Sequence, residues 1–296
     1  MTDADPPIHA PGPRRPEPGL HLVATPIGAA RDITLRALDI LAGADVLAAE
    51  DTRTLRHLME IHGIALQGRP LVAYHDHNGE TARPRILAAL AEGKSVAYAS
   101  EAGTPLVADP GMKLARAAIE AGHRVLAAPG PSAVLAALSV AGLPTDRFLF
   151  AGFPPAAAGA RAAWLRELAE VPATLVIYES PKRISRLLGE MSDALGGSRE
   201  SAVCRELTKR FEEVSRGTLA ELAERFAGQE SKGEIVVVVD RPGEAAANPA
   251  DVETALRAAL AAPGAHLKQV AAAVSERFGL PRRDVYQLAL RLAERE

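Results

Sequence analysis

Apolar residues fall in short runs, and the runs are separated by stretches with helical spacing. Leu20–Ala24, Val46–Ala49, Leu71–Tyr74, Val96–Ala99 and Val125–Ala127 have the length and continuity of strands buried on both faces. Between them the spacing predicts helices over Asp32–Leu41, Thr52–His62, Thr81–Glu92, Met112–Ala121 and Ser132–Ala141. Asp32 and Ser132 are the expected N-caps, since their side-chain oxygens can accept from first-turn amides. Regular strand–helix alternation is the pattern of a largely parallel sheet covered by helices.

Gly142-Leu143-Pro144 breaks the pattern, and a second α/β unit follows. Its expected strands are Phe148–Gly152, Thr174–Tyr178, Ser201–Glu206, Glu213–Gly217 and Ile235–Val239; its helices are Gly159–Glu170, Pro181–Leu195 and Leu219–Ala227. Asp240–Pro249, with Pro242, Gly243 and three alanines, reads as a linker. Beyond it, Leu267, Val270, Ala271, Val274 and Phe278 keep helical spacing. Gly279-Leu280-Pro281 turns the chain, and Val285, Leu288, Ala289 and Leu292 resume the spacing. Two short helices around a tight turn resemble a helix-turn-helix. The expected division is a tail (1–19), an α/β domain (20–143), a second α/β domain (144–240), a linker (241–250) and a helical module (251–296).

Composition refines this picture. Of 296 residues, 48% are hydrophobic but only 4% aromatic, so small and branched aliphatics must fill the core. Six prolines in residues 1–19 mark that segment as an expected disordered tail, without the apolar core of a secretory signal. Cys204 is the single cysteine and has no internal disulfide partner, which fits a reducing cytosol. The run Ile235–Val239 is far too short to span a bilayer. A net charge of −3 argues against coating nucleic acid by charge alone, though a local basic groove stays compatible with it.

Candidate chemistry gathers in the loops. Ala24-Thr25-Pro26-Ile27-Gly28 lacks the three-glycine dinucleotide fingerprint and, alone, is an ordinary strand-to-helix turn. The stretch from Ser100 to Gly111 holds two glycines, two prolines and the acids Glu101 and Asp109, more than a turn requires. Glycine permits close ligand approach, proline limits the ordering needed on binding, and acids suit a ribose diol or a cation better than a phosphate. Pro129-Gly130-Pro131-Ser132-Ala133 ends the following strand, so two rigid small-residue loops on neighbouring strand ends predict a binding crevice. His75 and His77 point to opposite faces of an extended segment, and no metal site is expected. Glu50, Asp51 and Arg53 serve either a helix start or the cleft. The run Lys209, Arg210, Glu212, Glu213 is either a solvated hairpin end or part of the site.

Many of these segments, in order, resemble a known family. They are Ala24–Gly28, Asp32–Ala37, Ala49–Arg53, His75–Asn78, Ala102–Pro105, Asp109–Gly111, Pro129–Ala133 and Ala137–Ser139. In the second unit they are Phe148–Pro154, Tyr178–Pro181, Arg205–Lys209 and Lys232–Glu234. Together they are similar to the ribosomal RNA small subunit methyltransferase I family, 2′-O-methyltransferases of the tetrapyrrole methylase superfamily, over roughly residues 20 to 240 and into the C-terminal helices. The resemblance implies S-adenosyl-L-methionine held between two α/β domains of a cytoplasmic homodimer. It implies methyl transfer to the ribose of a decoding-region cytidine of 16S rRNA, within the small ribosomal subunit.

By the same resemblance, Pro26, Ser100, Ala102, Gly103, Thr104, Leu106 and Val107 would bind the cofactor from the first domain, with Ser132 and Ala133. Tyr178, Leu207, Thr208, Gly233, Glu234 and Ile235 would bind it from the second. The chain departs from the family's usual Asp at Glu101 and from its frequent His at Lys182. A hydroxyl nucleophile needs help losing its proton. Lys209 is the first candidate, followed by Glu101 and Asp51, with Lys182 also in reach of the role. Arg161, Arg166, Lys182, Arg183 and Arg186 form an expected basic rim for RNA. Two rival readings stand beside this one. Against a precorrin-type methyltransferase speak Arg282 and Arg283 in the helical pair and the Ser180-Pro181 and Thr208-Lys209 motifs. Against a ribosome-associated binding module without activity speak the intact Gly103, Pro105, Asp109 and Pro131.

Overall fold

The computed structural model describes residues 15–75, 78–108, 111–229, 231–243, 249–260, 265–278 and 280–293. Asp76, His77, Asp109, Pro110, Gly279, most of the expected tail and half of the expected linker lie outside these residues. The first sheet holds β1 (Gly19–Val23), β2 (Val46–Ala49), β3 (Leu71–Ala73), β4 (Ser95–Ala99) and β5 (Val125–Ala128), in spatial order β3-β2-β4-β1-β5. All its pairings are parallel. Parallel neighbours need crossovers, supplied here by α1 (Leu35–Gly43), α2 (Thr52–Ile61), α3 (Gly79–Ala91) and α4 (Met112–Glu120). One face packs Leu20, Val96 and Tyr98 against Ile86 and Leu114; the other packs Val23, Leu47 and Ala97 against Leu41, Leu55 and Met59. Every residue of β4 is buried, as expected for a central strand covered on both faces.

Two expected caps differ. Asp32 is held before the helix by a turn, its amide donating to Ala29 at 2.9 Å. The cap of α1 is Thr34, whose hydroxyl accepts from the Ala37 amide at 3.1 Å. Ser132 does occupy the N-cap of α5 (Ala133–Ala141), but its side chain makes no capping bond.

The second sheet holds β6 (Phe148–Gly152), β7 (Thr174–Glu179), β8 (Glu200–Arg205), β9 (Glu213–Thr218) and β10 (Ile235–Val239), in order β6-β7-β10-β8-β9. Only β6 and β7 pair in parallel; β10 runs antiparallel to both β7 and β8, and β8 to β9. One face is covered by α6 (Ala158–Ala169), α7 (Ile184–Leu195) and α8 (Leu219–Phe226) through Leu165, Leu187, Leu188 and Leu222. The other face is covered by α5. Val134, Ala137 and Leu138 lie against Val176, Cys204, Val236 and Val238, with Ile27 joining from the first unit. By chain order α5 closes the first unit; by packing it belongs to the second, and this locks the two together.

Part of the expected basic rim is interior. The Arg161 side chain is 2% exposed; it forks onto Glu190 at 2.5 and 2.7 Å and also donates to the Pro155 and Ala156 carbonyls. Arg183 pairs at 2.6 Å with Glu179, which is itself buried. Arg183 keeps 31% of its side chain exposed, and Arg166, Lys182 and Arg186 stay exposed.

Among its described residues the C-terminal region has three helices where the spacing predicts two: α9 (Pro249–Leu260), α10 (Leu267–Phe278) and α11 (Arg282–Ala293). They share a separate core of Val252, Leu256, Ala271, Val274, Val285, Ala289 and Leu292. Helix α9 starts inside the expected linker, with proline at its first position, where a missing amide costs nothing. Among the described residues no helix is long and apolar enough to cross a membrane.

Candidate functional site: a cleft between the two sheets

The loops that leave β1, β2, β4 and β5 at their C-terminal ends face Phe153, the end of β7 and the start of β10. They enclose a cleft of about 690 Å³, within the ordinary range of small-molecule sites. The first wall is organised by backbone. Thr25 and Gly103 exchange amide hydrogen bonds at 3.0 Å in both directions. The Thr25 hydroxyl donates to the Ser100 carbonyl at 3.1 Å, and the Ser100 hydroxyl donates to the Gly103 carbonyl at 2.5 Å. Strands β4 and β5 are not neighbours, because β1 runs between them. Their loops meet by arching over the end of β1, where the Thr104 hydroxyl donates to the Pro131 carbonyl at 2.9 Å. Gly103 has φ +79°, and Leu106 and Ala108 adopt φ +72° and +56°. Non-glycine residues in this region carry strain, and such strain concentrates at ligand-binding segments.

The second wall is organised by charge. Lys209 donates to Glu206 at 2.9 Å and to Glu234 at 3.1 Å, while the Glu234 amide donates to the Glu206 carboxylate at 2.9 Å. Glu206 and Thr208 also hold positive φ, +51° and +64°. The two walls touch at Gly28, where a Cβ would sit 2.5 Å from Lys209 Cγ and 2.6 Å from Thr208 Oγ1. Beside it the Ala29 amide donates to Thr208 Oγ1 at 3.1 Å.

The structure brings Pro26, Glu101, Ala102, Gly103, Thr104, Val107, Ser132, Ala133, Tyr178, Gly233, Glu234 and Ile235 to the cleft surface. Four expected cofactor residues lie behind it. Ser100 and Thr208 are spent on the hydrogen bonds above, Leu207 is in the core beneath α5, and Leu106 packs against the first core. Asp51 caps α2, accepting from the Arg53 amide at 2.7 Å and from its guanidinium at 3.0 Å. The Arg53 hydrogen bonds hold its carboxyl below the usual range, and it does not line the cleft.

The remaining proton-transfer candidates behave oppositely. For Lys209, burial lowers the pKa but is outweighed by hydrogen bonds to Glu206 and Glu234, so the ammonium is held above its ordinary value. A base needs the neutral amine; this lysine is arranged as a cation that joins two carboxylates. Glu101 is pushed up, first by burial and then by Glu50, Asp51 and Glu234. A carboxylate in that position accepts a proton more readily than a free one. Tyr178 is also raised, chiefly by burial, while its hydroxyl takes a hydrogen bond from the Val134 backbone.

Thr54, Phe153, and Glu179 to Pro181 line the cleft with no expected role from sequence, while Glu50, expected at either a helix start or the cleft, lines it. Glu50 and Glu179 sit in motifs the sequence displays, but nothing local separates lining residues from helix-start chemistry. Phe153 follows a strand bulge that sequence spacing does not announce. Among the described residues no group of three His, Cys, Asp or Glu side chains is placed to hold a metal. A smaller hollow of about 390 Å³ beside β8 and β9 holds Arg205 already paired with Glu213 at 2.8 Å.

Comparison with known proteins fits this architecture. The family described as Tetrapyrrole (Corrin/Porphyrin) Methylases matches residues 19–223, and one described as RsmI C-terminal HTH domain matches residues 246–293. A ribosomal RNA small subunit methyltransferase I of Mesorhizobium japonicum is 55% identical over 82% of this chain and 83% of its own. Its counterpart in Vibrio cholerae is 41% identical over 92% and 94%. Diphthine synthase shares the fold at TM-score 0.58 and 18% identity, over 75% of this chain and 89% of its own. So does uroporphyrin-III C-methyltransferase of Thermus thermophilus complexed with S-adenosyl homocysteine, at TM-score 0.51 and 22% identity over 74% and 96%.

Proposed function

The chain belongs to the tetrapyrrole methylase family, and from that premise we propose that it transfers a methyl group from S-adenosylmethionine to bacterial small-subunit ribosomal RNA. The acceptor is the ribose 2′-oxygen of a decoding-region cytidine in 16S rRNA, and the enzyme works in the cytoplasm. The observation that carries the reading is the cleft itself. Its walls offer small-residue loops, open backbone and the acids Glu50, Glu101 and Glu234, with no free cation among the described lining residues. Such walls suit a cationic, ribose-bearing cofactor and disfavour a phosphate. Gly103, Thr104, Ser132, Ala133, Tyr178 and Ile235 hold that cofactor.

When bound, the cofactor supplies an electrophilic methyl group on a sulfonium. The protein's part is alignment and exclusion of water. Glu101 accepts the hydroxyl proton: it lines the cleft, and burial followed by Glu50, Asp51 and Glu234 raises its proton affinity. Lys209 keeps Glu206 and Glu234 in register and stays protonated. The helical module, with exposed Lys268, Arg282, Arg283 and Arg291, helps to hold the ribosomal particle. The active form is a homodimer; Leu135 on α5 and Phe148 and Leu149 on edge strand β6 leave apolar side chains open for it.

Labelled methyl transfer to isolated small subunits, to free 16S rRNA and to a tetrapyrrole tests the reading. Digestion of the ribosomal product should release 2′-O-methylcytidine. Label on a base atom, or on the tetrapyrrole alone, overturns it.

A further inference from the structure

Phe153 stands out because the chain has so few aromatic residues and this one is 55% exposed at the cleft. Strand β6 delivers it there by an irregularity. Its register against β7 shifts between Phe150 and Gly152, and Gly152 has φ +72°. A bulge re-aims the side chains that follow it, so Phe153 leaves the strand's alternation. Its ring lies against Tyr178, centroids 5.4 Å apart at 64°. Tyr178 is also held by Phe150 at 4.8 Å and by the Val134 backbone. The cluster is thereby anchored, and the Phe153 ring stays open.

Charge says what can meet that ring. Glu50, Glu101 and Glu234 line the interior and repel a phosphodiester. Exposed cations lie outside the lining, where Arg53, 91% exposed, and Arg56 flank Thr54 of the cleft wall and Lys182 follows Pro181. An RNA strand therefore keeps its phosphates at the rim and sends in only the uncharged part of a nucleotide. Enzymes that act on a nucleotide commonly extrude it and stack its base on an aromatic side chain.

We propose that Phe153 is the platform on which the nucleobase of the target nucleotide stacks, with its ribose turned toward Glu101. This rests on the RNA methyltransferase reading above. Stacking depends on a π face, which separates it from simple apolar contact.

The test uses the full-length protein with unmodified small subunits and S-adenosylmethionine. F153A and F153L should raise the KM for subunits roughly 5- to 150-fold, while F153Y and F153W stay within about twofold of wild type on the same scale. Calorimetry should show unchanged affinity for S-adenosylmethionine in all four. Retained KM in F153L overturns the proposal, because any apolar side chain then suffices. Weakened cofactor binding in F153A also overturns it, by assigning Phe153 to the cofactor instead. Should F153A lose its thermal transition, F153L against F153W carries the same comparison. Wild-type protein that methylates no subunit removes the functional reading and this proposal together, whereas wild-type transfer with an unaffected F153L removes Phe153 alone.

Discussion

On the first wall of the cleft, the surface is mostly main chain. Gly103, Leu106 and Ala108 hold positive φ, and the Thr25–Gly103 and Thr104–Pro131 hydrogen bonds tie three strand ends into one rim. On the second wall, shape depends on side chains: Lys209 between Glu206 and Glu234, and Thr208 reaching the Ala29 amide. A wall built from backbone conformation is sensitive to which residues can adopt it and indifferent to pH. A wall built from ion pairs tolerates substitution better, because partly exposed pairs contribute little each, but it responds to protons. Glu101 gives the first wall a titrating group with a raised pKa.

The largest effect should come from Gly103→Leu, which places a branched side chain at φ +79° facing the cleft, with Ile27 Cγ2 3.4 Å from the new Cβ. Cofactor binding should vanish in calorimetry while the fold persists. Unchanged affinity in a folded variant would remove the first wall from the binding site. Next, Glu101→Gln should slow transfer to small subunits by about 10²- to 10⁴-fold, the usual size of general-base catalysis, with cofactor affinity kept. If Lys209→Ala loses as much and Glu101→Gln does not, the two walls exchange roles.

Gly28→Leu tests the seam between the walls, since its Cβ would overlap Lys209 and Thr208. It should cost about 1–3 kcal/mol of stability, visible as a lowered Tm, together with weaker transfer. The smallest effects are those of pH. Glu206 sits below its ordinary 4.5, mainly through the Glu234 amide and then Lys209, so the stability it contributes is present above 4.5 and lost as pH falls through its folded value. Glu101 is displaced upward, so its ionisation opposes folding: the cost is absent below 4.5 and complete above its raised value. Glu206→Gln should therefore flatten the acid loss of Tm, and Glu101→Gln should raise Tm slightly at neutral pH but not below pH 4.5. Parallel melting curves for both variants would merge the two walls into one electrostatic unit.

Much of this was legible along the chain. Val46–Ala49 and Ile235–Val239 are strands at the residues where their apolar runs begin and end, because a strand buried on both faces needs an unbroken run. The glycine- and proline-rich loops were legible for a similar reason: few other residues accept those backbone angles. Other features depend on residues far apart in sequence. The helix Ala133–Ala141 is apolar at nearly every position, so its spacing names no face, and only packing shows that it covers the second sheet. Alanine-diluted α9 has too weak a stripe to separate it from a linker. Arg161 looks like any surface arginine until Glu190 and two carbonyls close around it. Lys209 and Glu101 were both plausible bases as residue types. Their pKa values move in the useful or the useless direction only when burial, with Glu50 and Asp51, raises Glu101 and when burial at Lys209 is outweighed by Glu206 and Glu234. A proton affinity is a sum over neighbours in space, and those neighbours are chosen by the fold.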